Sequence, residues 1–400
     1  MAPEKLTTRV LYTSTSYLPA VGGAQIHAHQ IGLHLPERFD FQVATQWSEH
    51  RSDWLFGTTL GAGKASVAYQ VDSIPVTKLG FSIGQKIHMA PAVGLYYLWQ
   101  GAAIRHVASI ISSELRPVAR DVDLIHNGRI GREPLSYASL KVARERKIPF
   151  VFTPYHHPRW VGWYYRHYEE LYRRADAIIA LTEAERRLLA ELGVQASKIF
   201  VAGMAPVLCQ EADPTRFRRN FGIEGPMVLF LGQHFEYKGF KLLLKAARNV
   251  WEKAPETHFV FVGPSVGRSE KPFADITDRR VHRLGTVDLQ AKTDALAACT
   301  LLCVPSTQES FGGVYTEAWA MGKPVIGCPI RSVSEVIDHG ENGLLVNPKI
   351  DDVAGAILSL LENPGWAERL GATGRSKVLS KYTWGRAADE VARAYDQVLH

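Results

Sequence analysis

Two glutamates eight positions apart, Glu309 and Glu317, are the pair best placed to do chemistry together in this 400-residue chain. They lie in the run PSTQESFGGVYTEAWAMGKPV, from Pro305 to Val325. Glu309 falls in the loop after an apolar strand, Leu301 to Val304. Glu317 falls in the first turns of a helix, Val314 to Met321, that Gly322 closes. Between them Gly312 and Gly313 leave backbone N–H groups bare at the helix N-terminus, where unpaired donors and the helix dipole favour an anion. A carboxylate on either side of that anion site accepts hydrogen bonds from hydroxyls, as a hexose or a ribose offers them. Together the pieces describe a pocket for a nucleoside-diphospho-sugar. A capped helix with incidental glutamates would account for the pair alone, but not for the whole string E-x-F-G-x4-E-A-x-A-x-G-x-P-V.

A second group of candidates lies earlier. Lys238 sits in the loop Gly232 to Gly239, between a strand at Met227 to Leu231 and a helix at Phe240 to Trp251. Its ammonium suits a diphosphate, a charge-assisted contact worth about 1.5–3 kcal/mol. A strand at Phe259 to Val262 ends at Gly263-Pro264, a further loop at the same end. In the first half, Gly22 and Gly23 stand in the loop Pro19 to Gln25 just before a helix. His126 closes a strand, and Tyr155, His156 and His157 follow another. Alternation along an extended chain puts Thr153, Tyr155 and His157 on one side and His156 on the other, which leaves the choice between the two histidines open.

The elements that must position these residues repeat along the chain. A strand at Val10 to Tyr12 leads into a loop, Ser14 to Gly23, and a helix, Ala24 to Leu35. Strands follow at Phe41 to Ala44, Leu124 to His126, Phe150 to Phe152, Ala177 to Ala180 and Ile199 to Val201, with a helix at Glu183 to Leu192. Gly203 to Pro214 reads as a linker. The second series then runs through the strands named above and ends with Pro324 to Ile326. Alternating strands and helices specify parallel α/β sheets. The expected architecture is two Rossmann-like domains facing each other across a cleft, 1–205 and 206–382, followed by a helix at 383–400. Ligands in such sheets sit beyond the carboxyl ends of the strands. No GxGxxG follows the first strand, which argues against a dinucleotide oxidoreductase.

On these motifs the sequence resembles the retaining GT-B glycosyltransferases of the family 4 type, whose E-x7-E motif binds the donor. The resemblance implies that Glu309 meets the donor hexose and Glu317 the ribose. It implies that Phe311, Gly312, Gly313 and Val314 offer main-chain N–H groups, and that Gly23 and Gly263 lie on the donor side. It also implies that 1–205 takes the acceptor and 206–382 the donor, and that the helix at 383–400 crosses back to the first domain. The loop Gly232 to Gly239 is similar to the family's G-R-x4-K-G segment, with Lys238 as the diphosphate clamp. The arginine position holds Gln233, so either His234 or an acceptor-side group compensates, or the donor is held more weakly. Glu309, Lys238 and one of His156 and His157 are the catalytic candidates; Gly22, His126 and Tyr155 are placed on the acceptor side. The family's D-x-x-H-x-H segment has Gly128 for its second histidine, and its T-x-H segment has Tyr155 at the histidine position. The usual Gly-Gly after the donor pocket reads Arg331-Ser332. The implied reaction moves a hexosyl group with retention, needs no metal or other cofactor, and uses the leaving phosphate as base.

Composition narrows the partners. At 46% hydrophobic and 22% charged residues the chain is an ordinary globular one, which excludes disordered and fibrous classes. The net charge of +6 arises wholly in residues 1–200, which hold 23 Lys and Arg against 17 Asp and Glu. That imbalance favours an anionic or lipid-linked acceptor in polysaccharide or glycolipid assembly, and a location in the cytoplasm or at the inner face of a membrane. Gly80 to Ile111 and Arg159 to Tyr168, which mix apolar, aromatic and basic residues, are candidates for facing lipid or an acceptor sugar. No nucleic-acid module or basic run is present. Cys209, Cys299, Cys303 and Cys328 form no metal-type pair and are expected to be reduced. Two rival readings are a nucleotide-sugar epimerase or phosphorylase on the same fold, and a non-catalytic carbohydrate-binding subunit.

Overall fold

The computed structural model describes residues 7–20, 22–47, 53–156, 162–267, 269–274 and 276–400. Its first strand, β1 (Thr8–Ser16), is longer than its apolar run. Thr13, Ser14, Thr15 and Ser16 are all buried in it, and what the sequence presents as a polar loop is strand. Buried hydroxyls are tolerated where they are hydrogen-bonded. Thr13 pairs with Ser139 at 2.8 Å and accepts from Asn127 at 2.8 Å.

The chain divides into two compact units, 1–203 with 384–400, and 204–383. In the first, β1 is joined by β2 (Phe39–Trp47), β3 (Val67–Val71), β4 (Ile74–Lys78), β5 (Leu124–Gly128), β6 (Phe150–Thr153), β7 (Ala177–Ala180) and β8 (Ile199–Val201). Their order is β3-β4-β2-β1-β5-β6-β7-β8, and every pairing is parallel except β3 with β4. β6 and β7 are buried along their whole length and read as apolar runs for that reason. The β3–β4 hairpin is an edge whose sequence signal is weak. The helix Trp384–Leu399 belongs to this unit: Tyr395 is fully buried against Phe39 at 5.3 Å, and Arg38 donates to Asp396 at 2.7 Å.

The second unit holds β9 (Met227–Leu231), β10 (His258–Val262), β11 (Val281–Gly285), β12 (Leu301–Cys303), β13 (Val325–Gly327) and β14 (Leu344–Leu345). The order is β11-β10-β9-β12-β13-β14, parallel throughout. Both units are Rossmann-like. In each, chain order reverses direction at one place, beside β1 and β5 in the first and between β9 and β12 in the second. Loops at such a point splay apart and leave room for a ligand. Residues 80–111 form two helices, Ile83–Gly94 and Gln100–Val118, rather than one. Among the described residues no helix is long and apolar enough to cross a membrane.

Candidate functional site

The loops after β9 and β12 carry Lys238 and Glu309, and the fold stitches them together. Tyr237 O accepts from Thr307 N at 2.8 Å and from Ser306 Oγ at 3.1 Å. Gly239 follows with φ of +83°, and a Cβ there would stand 2.3 Å from Pro305 O, so only glycine lets the backbones approach this closely. The result is that Lys238 Nζ lies 2.6 Å from both carboxylate oxygens of Glu309. The ammonium side chain is 20% exposed and the carboxylate 7%.

Glu317 rises from the helix Gly313–Ala320, which Gly312 begins in the left-handed region at φ +88°. Two anchors fix that helix: Tyr315 donates to Val304 O at 2.8 Å, and Trp319 Nε1 donates to Asn342 O at 2.7 Å. Phe311 is buried edge-on against Tyr382 at 5.4 Å. Gly312 is buried, while Gly313 and Val314 are half-buried at the helix mouth. Glu317 has a cationic partner of its own, Lys292, whose Nζ donates to Oε1 at 2.6 Å. The local sequence gives no hint of that pair. Lys292 reads as an ordinary lysine on the helix Leu289–Ala298, and only the packing of that helix brings it to Glu317.

Gly263 closes β10 with φ of +137°, and a Cβ there would sit 2.0 Å from Gly232 O. The carboxyl ends of β9 and β10 therefore touch backbone to backbone. Gln233 is half-buried beside them. Its neighbour His234 supplies no charge in place of the absent arginine. The ring is 1% exposed, stacked on Phe240 at 5.3 Å and against Phe273 at 5.6 Å. Burial first, and Arg283 second, pull its pKa down to about 4. Ser332, at the position where a glycine was expected, has a use: its hydroxyl donates to Glu309 O at 2.7 Å.

The candidates of the first unit are held differently. His126 is buried, with Nδ1 paired to Tyr395 at 2.7 Å and Nε2 to Thr153 at 2.7 Å. Burial lowers its pKa to about 3. Both ring nitrogens are thus engaged within the fold. Tyr155 is buried too, bonded to His27 Nδ1 at 2.9 Å, to Tyr12 at 3.3 Å and to Ala24 O at 3.2 Å. It has φ of +44°, so the chain is not extended there and the alternation that was to sort the histidines fails. His156 is buried, its N–H donating to Glu185 at 2.7 Å and its Nδ1 facing Tyr172 at 3.2 Å. His157 and the stretch 157–161 lie outside the described residues. Gly22 is extended at the start of the helix Gly23–His34; Gly23 is exposed, and a Cβ there would meet nothing within 4 Å. Trp163 and Tyr164 are exposed, whereas Tyr168 is buried under the Arg129 guanidinium at 3.7 Å.

Comparison with known proteins follows the two units. Residues 22–204 match the family described as Glycosyl transferase 4-like domain, and 225–363 match Glycosyl transferases group 1. The D-inositol 3-phosphate glycosyltransferase of Kribbella flavida is 32% identical over 223 residues, 51% of this chain and 52% of that protein. The phosphatidyl-myo-inositol mannosyltransferase of Mycobacterium tuberculosis is 32% identical over 182 residues, 44% of this chain and 48% of that protein. The chain thus spans about half the length of these relatives. Among solved structures, Anabaena HepE in complex with UDP and glucose has a TM-score of 0.72 at 18% identity, covering 97% of this chain and 99% of that one. Sucrose-phosphate synthase from Thermosynechococcus elongatus gives 0.70 at 17% identity, covering 98% of each chain. These likenesses show the GT-B fold.

Proposed function

We propose, from the premise that the chain is built as a GT-B glycosyltransferase with a 4-like domain followed by a group 1 domain, that it transfers a hexosyl group from a nucleoside-diphosphate sugar to a hydroxyl acceptor with retention. The observation that carries this is the Lys238–Glu309 pair at 2.6 Å, seated at the β9/β12 reversal. Across the same loop Gly312 opens the N-terminus of the helix that carries Glu317. An ammonium so placed can turn to a diphosphate and release the Glu309 oxygens to accept from hexose hydroxyls. Glu317 keeps one oxygen on Lys292 and offers the other to a ribose hydroxyl. The N–H groups of 311–314 face the charge that grows on the leaving phosphate, the kind of pre-arranged stabilisation that lowers such a barrier most.

In the reaction the C1–O bond to the diphosphate breaks and a bond to the acceptor oxygen forms on the same face. The acceptor proton passes to a leaving phosphate oxygen, so no protein nucleophile, metal or other cofactor is needed. HepE, with its UDP and glucose, supports a uridine or similar donor. The excess of basic residues in the first half supports an anionic or lipid-linked acceptor, in polysaccharide or glycolipid assembly.

A calorimetric panel of UDP-glucose, UDP-N-acetylglucosamine, GDP-mannose, UDP and GDP tests the reading. Binding of one base family, weakened at least about tenfold in Lys238→Ala, is the expected result. If none binds to the intact chain, the transferase reading fails and a non-catalytic role replaces it.

A further inference from the structure

His234 is buried in a way that its packing alone does not explain. It is 1% exposed, and both Nδ1 and Nε2 lie inside with no hydrogen-bond partner among the described residues. Its surroundings are a box of aromatic rings. Phe240 stacks on it at 5.3 Å, Phe273 lies at 5.6 Å and Phe230 at 5.8 Å, while Phe261 closes on Phe273 at 5.1 Å. The charge that reaches the ring is the Arg283 guanidinium of β11, which sits over Phe273 at 5.4 Å and donates to Glu270 at 2.6 Å. Burial first and that guanidinium second keep the imidazole neutral at neutral pH. A phenyl ring would fill the same box without loss, whereas each unpaired ring nitrogen forfeits the hydrogen bond that water would give it.

The place of the residue in the chain shows where the ring could be used. His234 is the apex of a three-residue turn at the carboxyl end of β9, in which Phe235 N donates to Gln233 O at 2.7 Å. Its own N–H donates to Pro264 O at 3.0 Å, and Gly232 precedes the turn with φ of +152°. The loop is the one that carries Lys238, four residues on, with Nζ on Glu309. Gln233, half-buried, stands next to His234 where the resembling family has arginine. The loop therefore holds one permanent cation, a neutral amide at the arginine position, and beside it an imidazole with both nitrogens unused.

We propose that His234 has a second position, taken when a nucleoside-diphosphate sugar binds: the ring leaves its aromatic box, takes a proton from water and donates to a diphosphate oxygen beside Lys238. The inference rests on the donor reading of this site given above. The anion supplies the free-energy difference between the two positions, because an imidazolium is stabilised at a phosphate and excluded from the box. The ring is neutral before binding and charged after it, so binding takes up a proton and tightens as the pH falls.

The test is calorimetry of the full chain with UDP-glucose, UDP-N-acetylglucosamine and GDP-mannose, whose diphosphates carry no group that titrates near neutrality. Buffers of different ionisation enthalpy at pH 7 read the protons. The expected result is uptake of up to about one proton per nucleotide-sugar bound, with affinity about 5- to 10-fold higher at pH 6 than at pH 8. His234→Phe keeps a ring in the box and removes the unpaired nitrogens. It should raise the urea midpoint, abolish the uptake and bring the affinity at pH 6 down to that of the wild type at pH 8. His234→Leu gives the same readout without overfilling the box. A histidine that only fills space would shift the midpoint and leave uptake and affinity as they are, which overturns the inference. Binding without proton uptake, or with uptake retained in His234→Phe, overturns it too while the donor reading stands. No binding by any of the three overturns both.

Discussion

Glu309 and Glu317 each face a lysine ammonium at 2.6 Å, whereas His126 faces two hydroxyls and His27 a hydroxyl and a carbonyl. All four side chains are buried. The difference lies in what a ligand would have to displace. An ammonium can exchange its carboxylate for a phosphate, one anion for another, at little net electrostatic cost. A neutral imidazole locked between two hydrogen-bond partners offers no such exchange, because opening it strands buried polar groups. The proposed binding groups of the second unit can thus be exchanged onto an anion, whereas His126 and His27 of the first are engaged within the fold.

The strongest test of that contrast is Lys238→Met. It should weaken nucleoside-diphosphate binding by about 10- to 100-fold, the weight of one or two charge-assisted bonds, as read by calorimetry. Retained affinity would break the comparison from the side of the second unit.

His126→Leu attacks the other side. Loss of the bonds to Tyr395 and Thr153 should lower stability by about 1–3 kcal/mol in urea unfolding while leaving nucleotide affinity unchanged. Altered affinity without loss of stability would make His126 a binding residue after all.

Acid should load the buried histidines. Burial lowers the pKa of His126 to about 3 and of His27 and His156 to about 4, against about 6.5 in an unfolded chain. Below pH 6.5 the unfolded state binds protons that the native state does not, so stability is full above 6.5 and falls as the pH drops towards 4. The slope is up to about 1.4 kcal/mol per pH unit for each histidine. In urea midpoints between pH 7 and 4.5, His126→Leu should flatten this slope; an unchanged slope would mean that the ring is protonated in the native state. The smallest effect belongs to Lys292→Met. Removing a partner that reaches only one oxygen of Glu317 should weaken donor binding by about 3- to 10-fold, and by less than Lys238→Met in the same assay.

Much of the second unit is legible in the chain. Its strands β9, β10, β12 and β13 are largely buried and read as apolar runs, and Glu309, Lys238 and Glu317 sit in two loops and a helix whose spacing is local. Other features depend on contacts that no window contains. Lys292 meets Glu317 only through the packing of two helices. The strand β1 hides behind Thr13 to Ser16: the Thr13 hydroxyl meets Ser139 and Asn127 from far along the sequence, and that of Ser14 donates to Ser16 O. The edge hairpin of β3 and β4 is largely exposed on β3, and β11 carries His282 and Arg283, so neither shows an apolar run. The choice between His156 and His157 was framed on an extended backbone, and the left-handed Tyr155 removes that frame.

Gly128 occupies the place where the resembling family has a histidine, and a Cβ there would lie 1.8 Å from the Tyr12 hydroxyl. The two positions share one volume, so their substitutions are not independent. A histidine at 128 collides with Tyr12, and shortening Tyr12 first opens a cavity in a fully buried ring site and strips Tyr155 of a partner. Either single step is harmful where both together fit, which is sign epistasis. A larger side chain can enter at position 128 only in company with a smaller one at position 12.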